Sequence, residues 1–494
     1  MTRRNAKPAG TILPDGDREA SRGHIIRFAV GAGGIVVIIF TYHVLTWRVF
    51  THTVDAFTEL FSDFVTYYYP MGEAIFSTKL PVEGFLYSPF VAILLAIFPP
   101  LGPTVSLVLW GGLQVFFILF YLFLFRQLVP AGLQVLLLFV TLVLTSYPLL
   151  LNFIGGSVSV FMMASLLAML VLNERGYRAA AAGFFAFAVG FKFFPLFFII
   201  PFALGRNTRF FLALVAACIA FLFVIPGVVL GFGDTLRFYS ALSVSFRESD
   251  WVVANPHSNY FPHLILRLAD AAGHDVHAHL PLLGWIAYGF AAANMGLVFL
   301  IQRAQLRHSD LWSFLLVFLM LPFVLKTSWP HDFVFLAFGQ ALLVWRLLEQ
   351  DKSVPRTDNG GKRFHTKRPC TRGVIALFLV VPSIVLSNIV FFNLFGDFSG
   401  YGFYGFLFWA DLLLLIAIYV EILPAALRRF QATGVDSGRH TSVSLRCLTF
   451  LYRRASSPPK RYPAAPRRPR SAAGRGIKRV LPTFLWRTTS HLTP

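Results

Sequence analysis

Thr104-Val-Ser-Leu-Val-Leu-Trp110-Gly-Gly-Leu-Gln-Val-Phe-Phe-Ile-Leu-Phe120-Tyr-Leu-Phe-Leu-Phe125 runs without a charged side chain and stops at Arg126. About 20 apolar residues are what an α-helix needs to cross a ~30 Å hydrocarbon core. Only helices and closed barrels satisfy every backbone donor and acceptor there. The same kind of stretch recurs along the chain. Of 494 residues, 56% are hydrophobic and 13% charged, 55 are Phe, and the mean hydropathy is +0.66. That balance excludes a soluble globule and predicts an all-α polytopic membrane protein.

Read outward from 104–125, the chain holds about twelve spans. They fall near 28–47, 104–125, 131–149, 156–173, 179–193, 195–205, 210–231, 282–302, 311–326, 332–348, 374–395 and 402–424. The stretch 28–47 lacks a small-residue cleavage site and reads as a retained anchor. The segment 195–205 is too short to cross unaided. The segment 88–101, bounded by prolines, reads as a helix lying in the interface.

Charge placement sets the orientation. Arg3, Arg4, Lys7, Arg18, Arg22 and Arg27 put the basic N-terminus, 1–27, in the cytosol by the positive-inside rule. On that side then lie Arg126, Arg175 with Arg178, Arg206 with Arg209, Arg303 with Arg307, and the basic loop 349–373. Counting 88–101 as a span would reverse the parity and put Arg126 outside. Both termini are therefore expected in the cytoplasm of a multi-pass cell-membrane protein. The membrane domain is 28–424, with long outer loops at 48–103 and 232–281.

The formal charge of +20 does not indicate nucleic acid. Residues 425–494 hold fifteen Lys or Arg against the single acid Asp436, which is +14 of the total. That Pro-, Ala- and Ser-rich tail is expected to be disordered and drawn to anionic inner-leaflet lipid. Three scattered cysteines, Cys218, Cys370 and Cys447, give no disulfide framework or zinc motif. No Walker A, GxGxxG or metalloprotease motif is present.

Polar residues concentrate on the outer side. The first loop carries Asp55, Glu59, Asp63, Tyr67, Tyr68, Tyr69, Glu73, Glu83 and Tyr87. In a helix Asp63 shares a face with Tyr67 and Tyr68, and a partly desolvated Asp there suits a general base acting on a hydroxyl. It equally suits a solvated loop acid or a helix cap. Lys192, in Gly190-Phe-Lys192-Phe-Phe-Pro195, is either a cation for a substrate phosphate or a snorkelling side chain. If it serves charge alone, Met at 192 should keep the fold. In Lys326-Thr-Ser-Trp329-Pro-His331-Asp332, Lys326 and His331 suit a leaving phosphate, with Asp332 setting the imidazole tautomer. The same turn also reads as an ordinary aromatic-belt turn. His257, His263, His274, His277 and His279 in the second loop lack the i, i+4 pairing of a metal site.

Together these segments resemble glycosyltransferase family 87, polyprenol-phosphate-mannose-dependent mannosyltransferases of the C-type membrane superfamily. The resemblance spans about 55–345. It rests on Asp63 before Tyr67 or Tyr68, Leu86-Tyr87-Ser88-Pro89-Phe90, Lys192-x-x-Pro195, and Ser328-Trp329-x-His331. Ser88 replaces a proline of the family pattern, the stretch 152–157 lacks its Gln, and Asn255-Pro-His-Ser258, with Arg267 downstream, matches an Asn-Gln-Ser motif only loosely. The resemblance implies a C-type fold with interfacial helices in the first outer loop. It also implies inverting transfer of a sugar, mannose in that family, from a polyprenyl-phosphate donor to a lipid or glycan acceptor. Asp63 would be the base. Tyr67, Tyr68, Tyr87, Lys192, Arg267, Lys326, Trp329 and His331 would bind substrate, with no metal or other cofactor required. The alternatives are a transporter or flippase of a polyprenyl-linked glycan, or an inactive scaffold.

Overall fold

The computed structural model describes residues 60–204, 208–247, 255–274, 277–351, 356–357, 363–364, 371–395 and 398–436. The expected span 28–47, the N-terminus and the tail beyond 436 lie outside the described residues. Among the described residues the regular elements are helices, apart from the two-residue strands Arg356–Thr357 and Arg363–Phe364, paired antiparallel.

Among the described residues, five helices are long and apolar enough to cross a membrane: Pro103–Leu128, Thr208–Leu230, His277–Ala304, Pro330–Glu349 and Phe406–Gln431. A sixth arises if Tyr147–Gly155 and Ser159–Glu174, bent by 115° at their break, count as one. Elsewhere the expected spans are shorter helices, and the reasons lie in the sequence. Around 131–149 the helix ends at Leu144, and Ser146 caps a new one by accepting from the Leu149 N–H at 3.3 Å. Pro148 sits in that new helix's first turn, where its missing N–H costs nothing. Segment 195–205 forms a 3-10 turn, Phe194–Phe198, followed by Ile199–Leu204. Segment 311–326 gives Ser309–Leu319 and then Leu321–Val324, which has Pro322 in its first turn. The last helix instead overshoots. It runs Phe406–Asp436, past the boundary expected at 424, because Ala425-Ala-Leu-Arg-Arg are strong helix formers.

Two helix breaks face each other and complete each other's backbone. Tyr147 N–H donates to Ser387 O at 3.0 Å, Ile389 N–H to Thr145 O at 2.9 Å, and Asn388 Nδ2 to Thr145 Oγ1 at 2.8 Å. Irregular backbone within an apolar body is tolerated when protein covers it in this way.

Ser159–Glu174 and Ser309–Leu319 are buried on every side, as expected of helices that are apolar all round. Helices nearer the outside present bare apolar faces: Val108 is 71% exposed, Trp285 74% and Phe378 78%, which suits contact with hydrocarbon. The 88–101 segment is short, as read, and gives Pro89–Leu95 and Pro99–Leu101. Ser88 Oγ donates to Gly190 O at 2.8 Å, and the Phe90 ring lies 4.8 Å from that of Phe221. This ties the first loop to the end of helix Arg178–Phe191, next to Lys192.

Candidate active site

The loop bearing Asp63 does not form a regular helix. Phe61, at φ 64°, is in the left-handed region, which costs a non-glycine residue about 1–3 kcal/mol. Asp63 then leads, without a side-chain capping bond, into a π-helical turn, Phe64–Tyr68, that passes into helix Tyr69–Thr78. Single π turns are frequent at functional sites because they re-aim side chains by one position. Here the turn buries Phe64 and Tyr68 against Trp110 and leaves Asp63 and Tyr67 half-buried.

Opposite Asp63 stands the bend between Tyr147–Gly155 and Ser159–Glu174. Gly156 turns the chain at φ +69°. A Cβ there would lie 2.9 Å from Phe61 Cβ and 3.0 Å from Trp110 Nε1, so only glycine fits. The bend is pinned from several directions. Trp110 Nε1 donates to Gly156 O at 2.9 Å, Gln114 Nε2 to Ser157 O at 2.8 Å, and Asn152 Nδ2 to Gln114 Oε1 at 3.0 Å. Phe61 N–H reaches Ile154 O at 2.7 Å. Gly156→Ala is expected to lower stability by about 1–3 kcal/mol through its backbone conformation alone. A lower melting temperature in detergent, together with reduced turnover, would record the shift of Ser157.

Ser157 and Ser159, both fully buried, sit two residues apart, within about 7 Å along the backbone, and each holds a carboxylate. Ser157 Oγ donates to Asp63 Oδ2. Ser159 Oγ donates to Asp332 Oδ1 at 2.9 Å. Lys192 Nζ is ion-paired with the same Asp332 oxygen and donates to Ser159 Oγ at 3.0 Å. The other Asp332 oxygen accepts from the Trp329 N–H at 3.2 Å, and His331 Nε2 stands 3.7 Å from Oδ1.

Tyr68 and Tyr87 share a hydroxyl-to-hydroxyl hydrogen bond of 2.8 Å. Burial pushes both phenols well above the usual range. The other tyrosine's hydroxyl adds to the rise for Tyr68, and the negative charge of Asp63 adds to it for both. Tyr67 is raised as well, by burial first and then by Asp63 and Glu83. Its ring is seated on Gly84, at φ +78°, where a Cβ would come within 2.3 Å of Tyr67 Cε1. All three phenols therefore remain O–H groups at neutral pH, facing a carboxylate. The arrangement offers a proton acceptor, Asp63, ringed by hydrogen-bonding phenols, and, across one short bend, the Lys192 ammonium paired with Asp332 and the His331 imidazole beside them.

Of the residues expected from the sequence, Asp63, Tyr67, Tyr68, Tyr87, Lys192 and His331 are brought together, with Trp329 joined through Asp332. Arg267 and Lys326 belong to a second cluster. Arg267 donates to Asn255 O at 3.1 Å and to Gly402 O at 3.4 Å, while Ser258 Oγ donates to Lys326 O at 3.1 Å. Two expectations change. Asp332 lies closer to Lys192 and Ser159 than to His331, so its first task is the lysine rather than the imidazole tautomer. Lys192 is already paired, so Met at 192 would strand a buried carboxylate and would not be neutral for folding. Ser157 and Ser159 escaped the sequence reading because serines inside an apolar run carry no spacing signal. The Gly155-Gly156 pair marking the bend was the available sign.

A family model described as Glycosyltransferase family 87 matches residues 85–328. Neither a curated protein nor a solved structure matches the chain. Asp63, Tyr67 and Tyr68 precede the matched stretch, and Trp329, His331 and Asp332 follow it. Tyr87, Ser157, Ser159 and Lys192 fall inside.

Proposed function

Because this chain belongs to glycosyltransferase family 87, a membrane glycosyltransferase family, we propose that it moves a sugar, mannose, from a polyprenyl-phosphate donor to a hydroxyl of a lipid or glycan acceptor at the outer face of the cell membrane. The observation that carries this reading is the pairing across one bend of a carboxylate held by Ser157 with a lysine held by Ser159 and Asp332. Asp63 takes the proton of the acceptor hydroxyl as its oxygen bonds to the sugar's anomeric carbon from the face opposite the phosphate. The bond from that carbon to the phosphate oxygen breaks, and polyprenyl phosphate leaves with the electron pair. Attack from the opposite face inverts the anomeric configuration. Negative charge builds on the departing phosphate, where Lys192 and His331 oppose it. Tyr67, Tyr68, Tyr87 and Trp329 contact sugar and acceptor. The mechanism requires no metal.

Purified protein in lipid, given labelled polyprenyl-phosphate mannose and extracted membrane glycolipids, is expected to yield a labelled glycolipid. Labelled donor that stays intact with every acceptor fraction would overturn the reading.

The orientation belongs to the same proposal: twelve spans, both termini cytoplasmic, with Asp63 and His331 outside. In this proposal the spans beyond the five long ones would be made by the shorter apolar helices, among them Leu133–Leu144 and Arg178–Phe191. Single cysteines at positions 55 and 275, in a background without Cys218, Cys370 and Cys447, are expected to react with an impermeant maleimide on intact cells, and one at 360 to stay unlabelled. Labelling at 360, or at neither outer position, would refute this orientation.

A further inference from the structure

Gln114 and Asn152 are fully buried amides in an apolar body, and no step of the proposed transfer uses them. Their polar atoms form one chain. The Val160 N–H donates to Asn152 Oδ1 at 3.2 Å, Asn152 Nδ2 to Gln114 Oε1 at 3.0 Å, and Gln114 Nε2 to Ser157 O at 2.8 Å. The chain starts at a backbone donor and ends at a backbone acceptor, so two amides, each accepting once and donating once, close it. Its ends fall on either side of the bend. Val160 lies in the first turn of Ser159–Glu174, whose own N-cap residue, Val158, makes no side-chain capping bond. Asn152, near the end of the preceding helix, caps that turn instead, and its backbone O accepts from the Ser157 N–H at 2.9 Å. The two amides therefore fix the angle between the helices, and with it the directions of Ser157 Oγ and Ser159 Oγ.

One helix holds all of this. Trp110, Gln114 and Tyr121 lie on the buried face of Pro103–Leu128, spaced by one turn and then two. Trp110 and Gln114 hold consecutive carbonyls, Gly156 O at 2.9 Å and Ser157 O at 2.8 Å. The loop that carries Asp63 rests on the same helix. Trp110 stacks on Phe64 with ring centroids 4.8 Å apart, and a Cβ at Gly111 would meet the Phe61 ring at 3.1 Å. Two turns further on, Tyr121 Oη donates to Val334 O at 3.1 Å, in the 3-10 turn Pro330–Phe335 that carries His331 and Asp332. The Asp63 side and the Asp332 side are thus tied to one rod, about 16 Å along its axis from Trp110 to Tyr121. Buried polar contacts with every partner present give rigidity and a single arrangement.

We propose that Trp110, Gln114, Tyr121 and Asn152 are positioning residues that hold Asp63 and Lys192 at a fixed separation on either side of the substrate. None of the four touches a reacting atom; they act through Ser157, Ser159 and the turn at Val334. Their catalytic role rests on the proposed transferase reading, because in-line transfer needs the base and the cation on opposite sides of one anomeric carbon.

Two variants of the full-length protein in lipid nanodiscs, given labelled polyprenyl-phosphate mannose and extracted membrane glycolipids, test this. Gln114→Met leaves Ser157 O and Asn152 Nδ2 without their partner. The milder Trp110→Phe keeps an aromatic ring and loses the indole N–H to Gly156 O. Each is expected to lower kcat about tenfold or more with the donor KM within about twofold, since a ~1 Å misplacement costs as much as ~10²-fold. Ser157→Ala supplies a readout that a merely structural role would not move. Because Gln114 acts through Ser157, adding Gln114→Met to Ser157→Ala is expected to cost little further turnover, whereas independent losses multiply. Asn294→Ala is the control: it removes another buried amide, one that donates to Leu316 O on a different pair of helices, and is expected to lower the melting temperature but not kcat. Amide exchange over 155–162 is expected to quicken in Gln114→Met, because Asn152 loses the partner that aims it at Val160. Wild-type kcat in both folded variants, or a loss that multiplies with that of Ser157→Ala, overturns the proposal. If Gln114→Met does not fold, Trp110→Phe decides alone. If the wild-type protein transfers no sugar to any acceptor, the transferase reading fails, and exchange decides the brace: quickened exchange supports it and unchanged exchange overturns it.

Discussion

Asp63→Asn is expected to cut turnover by about 100-fold or more while leaving the fold and donor binding nearly unchanged. The structure gives the reasons separately. Asn retains an oxygen that can accept from Ser157 Oγ, so the side chain keeps its anchor. It cannot take up a proton, and loss of a positioned base typically costs ~10²–10⁴ in rate. Donor affinity should hold, because a carboxylate does not attract a phosphate. Glu73, exposed on helix Tyr69–Thr78 of the same loop, is the control: Glu73→Gln removes a charge of the same sign without touching the bend. Initial rates of labelled sugar transfer, measured beside donor binding on the same preparations, decide the matter. A folded Asp63→Asn protein with wild-type turnover would leave the mechanism without its base.

The membrane class was legible because it depends on composition and on the length of apolar runs, which no packing detail can disguise. Pro103–Leu128 reproduces the run 104–125 within a few residues. Helix ends were harder to read where Ser, Thr and Pro interrupt apolar segments, as at Thr145-Ser146 and Ser387-Asn388. Their breaks are stabilised by each other, and that is a tertiary fact. The site was legible in its charged members for a related reason: an Asp beside tyrosines or a lysine among phenylalanines is conspicuous. What the sequence could not supply was pairing. Asp332 was visible beside His331, yet its partner is Lys192, 140 positions away, and nothing local announces that. The left-handed Phe61 was likewise hidden, since the contacts that impose it come from Gly156 and Ile154.

Lys192→Met is expected to lower stability by about 3–5 kcal/mol, because it leaves the Asp332 carboxylate buried without its cation. With its side chain only 4% exposed, Asp332 has little water to fall back on. Its remaining donors, Ser159 Oγ and the Trp329 N–H, are neutral and cannot balance a charge. The double variant Lys192→Met with Asp332→Asn removes both charges. It is expected to recover most of the lost stability, since a neutral pair of similar volume avoids the desolvation penalty of both ions. Activity should part from stability at this point. If Lys192 also opposes the charge growing on the departing phosphate, the double variant folds yet stays roughly tenfold or more below wild type, as one charge-assisted contact of ~1.5–3 kcal/mol implies. Thermal unfolding in nanodiscs and transfer rates on the same samples separate the two roles. A single variant as stable as wild type would show that the ion pair contributes nothing to the fold. A double variant with wild-type turnover would make Lys192 a structural partner of Asp332 alone, and the phosphate would then fall to His331 and the Arg267 cluster.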